Sequence, residues 1–151
     1  MLDDADRRLL RHYQADPEAR PADLAGRAGM TAATVWRRLE KLRQRGVIRG
    51  EEAVINWKAL GWAVEVSLRF TLDKTDPRAF DEFLGAARAV PEVLEIQTFL
   101  GRVDVRLNVI ARDMAHYQEI YRARILTLPH IADIEALMHV AAIKSDTGLP
   151  L

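Results

Sequence analysis

With 151 residues, 49% of them hydrophobic and 29% charged, the chain has the composition of a folded protein rather than a disordered one. That length can bury one good core, or a small core with a compact satellite. Cysteine is absent, which excludes disulfides, thiolate nucleophiles and cysteine-ligated zinc and suits a reducing cytoplasm.

No apolar run approaches the roughly 18 residues of a membrane span. The opening "MLDDADRRLL" lacks the basic and apolar regions of a secretory signal. A cytoplasmic protein with no membrane partner is expected. The formal net charge is zero but unevenly divided: residues 1–50 hold eleven Lys and Arg against seven Asp and Glu, and the rest of the chain eleven against fifteen. Six of the basic residues fall between Arg37 and Arg49, with Glu40 as the one acid among them. Such asymmetry points to one end that faces a polyanion and another with different work.

The first 50 residues read as three short helices. In "DDADRRLLRHYQAD", Leu9, Leu10 and Tyr13 share a face, and Asp3 or Asp4 can cap the start. "PADLAGRAG" places Pro21 in a first turn, Leu24, Ala25 and Ala28 on one stripe, and Gly29 as a stop. Thr31 then caps a third helix, in which Val35, Leu39 and Leu42 repeat at i, i+4 and i+7 until Gly46 ends it. "VIRGEEAVI" reads as a small hairpin or wing, leading to a linker containing "NWKALGW".

From Trp62 the hydrophobic period changes from 3.6 to 2. Trp62, Val64, Val66, Leu68, Phe70 and Leu72 alternate with smaller or polar residues, as in a strand with one buried face. "DPRAFDEFLGAARAV" is helical, with Phe80, Phe83, Leu84 and Ala87 on one side. "VLEIQTFL" and "VDVRLNVIA" form two strands joined tightly around Gly101. "DMAHYQEIYRARILTL" is a second helix, packing through Met114, Tyr117, Ile120, Tyr121 and Ile125, and Pro129 stops it. "IADIEALMHVAAI" is a last strand, with Ile134, Ala136, Met138 and Val140 on one face. The predicted class is α+β: an N-terminal winged helix-turn-helix over 1–50, a linker over 51–61, and a ferredoxin-like βαββαβ domain over 62–151. The sheet's second face needs cover, and another copy of the same sheet is the simplest cover, so a homodimer is expected.

With Val35, Leu39 and Leu42 turned to the core, Ala33, Thr34, Arg37 and Lys41 point away, and Arg38 and Trp36 lie on opposite flanks. Small residues in the first turn let a helix backbone approach base edges in a major groove about 12 Å wide. Arginines one turn further on reach bases bidentately or clamp phosphates. The bland alternative is a solvated basic helix face, and the helix alone leaves both readings open. Three further features favour DNA: the small-residue first turn, the preceding helix at turn spacing, and the expected wing.

These stretches together resemble the Lrp/AsnC family of bacterial transcriptional regulators, the feast/famine regulatory proteins. The matching residues are "LDDADRRLLRHYQAD", "LAGRAGMTAATVWRRLEKLRQRGVIRG", "NWKALG", "PEVLEIQTFLGRVDVRLNV", "DMAHYQEIY" and "IKSDTGLPL". The resemblance implies a third helix that reads double-stranded DNA, with Thr31, Ala33, Thr34, Arg37, Arg38 and Lys41 facing it. It also implies a C-terminal domain that dimerises, often on to octamers, and binds an amino-acid-like effector between dimers without any other cofactor. The implied effector residues are Leu100, Gly101, Arg102, Val103, Asp104, Glu135 and Leu137. Trp36 stands where relatives commonly carry an aliphatic residue, and its ring is expected to cover the edge of the helix-turn-helix core.

The effector loop departs from the family pattern. Relatives commonly carry Gly-Asp-(Tyr or Phe)-Asp in this turn, whereas "GRVD" keeps Gly101 and Asp104 and puts Arg102 and Val103 between them. A carboxylate at 102 could hold an amino group; Arg102 prefers a carboxylate or phosphate. Glu135 stands where relatives often have a hydroxyl. Two readings stay open: a pocket retuned toward a different or more acidic effector, or a surface arginine with effector binding weakened.

No enzyme is expected. His12, His116, His130 and His139 show no metal-ligand spacing, and GxSxG, Gly-rich phosphate loops and nucleotide fingerprints are missing from the sequence. The enzyme alternative is a sirohaem decarboxylase, since those enzymes resemble Lrp/AsnC regulators in both domains. Arg102 and Arg106 lie in the relevant region, but "EIQTFLGRVDVRL" has no histidine. A co-regulator that does not bind DNA would need the third helix to be acidic or broken.

Overall fold

A computed structural model describes residues 2–145 and 148–151. The chain forms two compact units, Met1–Val54 together with Lys144–Leu151, and Ile55–Ile143. The tail expected to finish the second domain thus lies with the first: Gln14 donates to the Leu149 carbonyl at 2.7 Å and accepts from its N–H at 2.9 Å.

The first unit contains α1 (Asp4–Ala15), α2 (Pro21–Ala28) and α3 (Ala32–Gln44). Asp3 and Asp6 cap α1 reciprocally, each side chain accepting from the other's backbone N–H. Gly29 closes α2 with φ 65°, a left-handed geometry in which a side chain would be strained. Two residues later the Thr31 hydroxyl accepts from the Thr34 N–H and starts α3. The predicted apolar stripes meet in one core, where Leu9, Leu24, Val35 and Leu42 are almost completely buried. The expected hairpin after Gly46 does not form. Residues 49–56 have no regular structure, and Val54 is 96% exposed. An isolated two-stranded ribbon without a packed face is marginal, so the alternation in "VIRGEEAVI" has nothing to organise it.

In the second unit a short 3₁₀ turn (Trp57–Leu60) precedes β1 (Val64–Leu72), α4 (Ala79–Arg88), β2 (Val93–Thr98), β3 (Val105–Ala111), α5 (Met114–Ile120) and β4 (Ile131–Met138). The sheet is antiparallel in the order β2-β3-β1-β4, which is the ferredoxin-like arrangement predicted from βαββαβ. Val66, Leu68 and Phe70 of β1 and Val105, Leu107 and Val109 of β3 are fully buried against the helices. Phe70 and Phe83 meet with ring centroids 4.9 Å apart.

Three local expectations are corrected. Met114 is 43% exposed rather than packed, since it occupies the first turn of α5. β4 ends at Met138, leaving Val140 exposed, and as an edge strand it is only half-buried at Ile134. The second helix is also not a uniform α-helix. After Ile120 it widens into a π-turn over Tyr121–Ile125, with the Leu126 N–H donating to the Tyr121 carbonyl. Ile120 and Ile125 are both buried although five residues apart, and the wide turn absorbs the extra residue that would put them on different faces.

The sheet's other face is more polar than an uncovered core face would be. Glu65 accepts from Asn108 at 2.9 Å, and Arg69–Glu135 and Arg106–Glu95 form ion pairs at 3.7 and 3.5 Å.

Candidate DNA interface and effector loop

On α3 the apolar and polar roles separate as the 3.6-residue period requires. Val35, Leu39 and Leu42 are buried, while Ala32, Ala33, Arg37 and Lys41 are exposed. Thr31 and Thr34 serve the cap, with the Thr31 hydroxyl donating to Thr34 Oγ1 at 2.8 Å. The open side of the helix thus begins with two methyl groups and continues to two unburied cations. Such a surface admits a groove wall first and reaches for anionic or acceptor groups one turn later.

Arg38 is placed differently. Its guanidinium Nη1 lies 2.6 Å from an Asp6 carboxylate oxygen and 2.9–3.0 Å from both Asp3 oxygens. Hydrogen bonds donated to Asp3 and then Asp6 hold the guanidinium above its ordinary value. The Asp6 N–H and then Arg38 hold the Asp3 carboxyl below its own. Arg38 therefore ties α3 to the first turn of α1, and Asp3 both caps a helix and accepts this charge. Arg43 is partly committed as well: Nη2 donates to the Tyr13 hydroxyl at 3.3 Å and lies 3.6 Å from Glu51. Trp36 does not cover the core edge. Its side chain is 63% exposed, because on the flank opposite Arg38 it projects past the packed stripe.

The loop between β2 and β3 is organised around Asp104. Its carboxylate, almost fully buried, accepts from the Leu72 N–H at 2.8 Å and from Lys74 Nζ at 2.8 Å. Burial raises its pKa, but the Lys74 ammonium and the Leu72 N–H outweigh that and leave it lowered. The Thr71 hydroxyl donates to the Arg102 carbonyl at 2.9 Å. The loop is thus pinned to the end of β1 from below, while Leu100, Gly101 and Arg102 are exposed above and Val103 is half-buried. Gly101 has φ 153°, a conformation that disfavours a side chain.

A sequence profile of the Lrp/AsnC ligand binding domain matches residues 65–149, and one of winged helix-turn-helix DNA-binding domains matches residues 2–49. The chain belongs to the Lrp/AsnC family.

Among curated relatives of this Lrp/AsnC protein is the DNA-binding transcriptional activator DecR of Escherichia coli (strain K12), 29% identical over all of this chain and 99% of that one. The crystal structure of an AsnC family transcriptional regulator from Agrobacterium tumefaciens superposes with a TM-score of 0.88 at 30% identity, covering 99% and 97% of the two chains. A feast or famine regulatory protein from M. tuberculosis, complexed with L-methionine, superposes with a TM-score of 0.84 at 28% identity and 99% coverage of both. The chain is a DNA-binding transcriptional regulator of the Lrp/AsnC type. The sirohaem decarboxylase alternative is not favoured, since the similar proteins are regulators rather than enzymes.

Against the Lrp/AsnC pattern, the loop residues fall into two groups. Asp104 is already satisfied by Lys74 and Leu72 and acts as a post. Gly101 and Arg102 are open. Glu135 and Leu137 lie on β4, opposite Arg69 and Ser67 of β1, and Glu135 is paired with Arg69. Sequence reasoning missed Lys74, whose separation from Asp104 by thirty positions hides the pair. It also missed Asp3 and Asp6 as Arg38 partners, although the capping pattern marked Asp3 as fixed in place. No helix among the described residues is long and apolar enough to cross a membrane.

Proposed function

We propose that this regulator binds operator DNA through Ala33, Arg37 and Lys41 on the outer face of α3, with Thr31 and Thr34 at its N-terminus near the groove. Arg38 positions the helix from behind. The observation that carries this reading is the exposure of Arg37 and Lys41 beyond a first turn of small side chains, on a helix fixed by Val35, Leu39 and Leu42. Lys41 serves phosphates; Arg37 is placed to reach a base edge.

The functional division follows the chain: a DNA-reading domain over 1–50, a linker over 51–61 and a regulatory domain from 62. The second unit dimerises, with octamers as the higher assembly, so that two α3 helices meet successive major grooves of a pseudo-palindrome about one turn apart. Half to fully exposed apolar side chains at Leu94, Leu100 and Met138 support such an association. An amino acid or related small molecule is the effector, held at the loop of Leu100, Gly101, Arg102 and Val103 with Glu135 and Leu137 alongside. Asp104 supports that loop from beneath. The protein works in the cytoplasm.

The test is a gel-shift titration on the protein's own upstream region at several salt concentrations. Arg37→Ala and Lys41→Ala each weaken binding, and the loss of each phosphate contact lowers the log–log salt slope by about 1. Wild-type affinity and slope in both variants would remove α3's outer face from the interface.

A further inference from the structure

Asp76, Glu82 and His130 come from three separate segments and bring one ligand atom each to within 4.8 Å of one another. Asp76 lies in the turn after β1, Glu82 on the first turns of α4, and His130 at the entrance to β4. No local spacing connects positions 76, 82 and 130, so the set is invisible to a sequence motif. Nothing in DNA reading or in the loop at 100–104 uses these side chains.

The backbone fixes the cluster. His130 has φ 63°, and it is the only non-glycine residue with positive φ among those described. A side chain in that region is uncommon and persists only where the surroundings impose it. Here its carbonyl accepts from the Asp73 N–H at 2.7 Å, which locks the chain reversal against the end of β1. The result turns the imidazole toward α4, with Nε2 at 2.6 Å from Glu82 Oε2. Asp76 is held from the other side: its Oδ1 accepts from the Arg78 N–H at 2.8 Å.

We propose that Asp76, Glu82 and His130 form a binding site for one divalent transition-metal ion of the zinc class. One imidazole nitrogen with two carboxylate oxygens is a donor set for zinc, cobalt or manganese, whereas calcium takes oxygen ligands throughout. Three protein ligands leave the remaining positions to water, as in an open rather than a closed structural site. Arg78 takes the cation's place in the present arrangement. Its guanidinium lies 3.2 Å from Asp76 Oδ2 and 3.5 Å from Glu82 Oε1, on a side chain 73% exposed and free to swing into solvent. One guanidinium charge thus stands against two carboxylates and an imidazole. The same turn carries Lys74, so the ion would anchor the segment from which the Asp104 post is held.

The test titrates chelator-treated, full-length protein with Co2+, followed by its visible absorption, and with Zn2+ by calorimetry. The expected result is one ion per chain. His130→Asn keeps a residue tolerant of positive φ while removing the imidazole. It and Glu82→Gln should each lower affinity at least 10- to 100-fold, the loss that even an outer-shell partner causes. Arg78→Ala removes the competing cation and should tighten binding about tenfold. Circular dichroism melts of the same samples establish that each variant is folded. Two results would overturn the site: binding that His130→Asn and Glu82→Gln leave unchanged, which places the ion elsewhere, or no binding below millimolar Co2+ in both the wild type and Arg78→Ala.

Discussion

Arg38 on α3 and Asp6 on α1 meet at 2.6 Å, through a carboxylate whose side chain is 12% exposed. The contact turns one of the basic residues of α3 inward and leaves Arg37 and Lys41 exposed. Replacing Arg38 by Ala strands a largely buried Asp6 charge and unties α3 from α1. The expected loss is about 1–2 kcal/mol of stability, readable in a urea titration. DNA affinity corrected for the folded fraction should fall much less than for Arg37→Ala. Equal losses of affinity with unchanged stability would return Arg38 to the DNA-contact set.

Trp36 is exposed on the flank of α3 opposite Arg38, and its ring has no core to cover. In docking, an aromatic surface next to Ala32 and Ala33 buries apolar area against the groove wall or a thymine methyl. Trp36→Ala should weaken specific binding by about 1–2 kcal/mol while leaving the melting temperature within a degree or two, and Trp36→Phe should recover part of it. A drop in stability with intact affinity would instead make the ring a packing element.

The Asp104–Lys74 pair predicts a pH dependence whose sign is fixed by the lowered carboxylate pKa. A carboxyl held below its ordinary 3.8 in the folded state contributes stability that is fully present above that value. The contribution is lost as pH falls through the folded-state pKa. Asp104→Asn should therefore cost about 1–2 kcal/mol at pH 7, with a deficit that shrinks below pH 3.8. Lys74→Ala should cost less at neutral pH, because Lys74 is half exposed and water replaces it. Chemical denaturation of the three proteins at pH 7 and at pH 3 decides the matter; a deficit that grows on acidification would mean the carboxyl is protonated in the fold.

At the open part of the loop, Gly101→Trp should abolish any effector-induced change in operator affinity or assembly size. Its side chain would fill the approach at a backbone angle suited to glycine. Arg102→Asp tests the chemistry of the same position: a thermal-shift screen of the twenty amino acids should move from acidic toward neutral effectors. Identical responses in the wild type and both variants would exclude the loop as the effector site.

Much of this was legible in the chain's order of residues. The three-helix stripe of Leu9, Leu24, Val35 and Leu42, the Gly29 turn and the β1 alternation of Val66, Leu68 and Phe70 each express a local period, and the period alone decides which side faces inward. The βαββαβ order likewise restricted the sheet to few topologies, and the 2-3-1-4 arrangement is one of them. The charge excess between Arg37 and Arg49 marked the polyanion-facing end. What each individual charge does depended on partners distant in sequence. Asp3 and Asp6 claim Arg38 from more than thirty positions away, and Lys74 neutralises Asp104 across the sheet's end. Glu82 and His130 meet across forty-eight positions. Packing decided both local departures: the hairpin after Gly46 found no face to pack on, and the second helix widened to keep Ile120 and Ile125 on one. Periodicity encodes burial residue by residue, but pairing between charged side chains is a property of the folded surface, and only the fold brought those partners together.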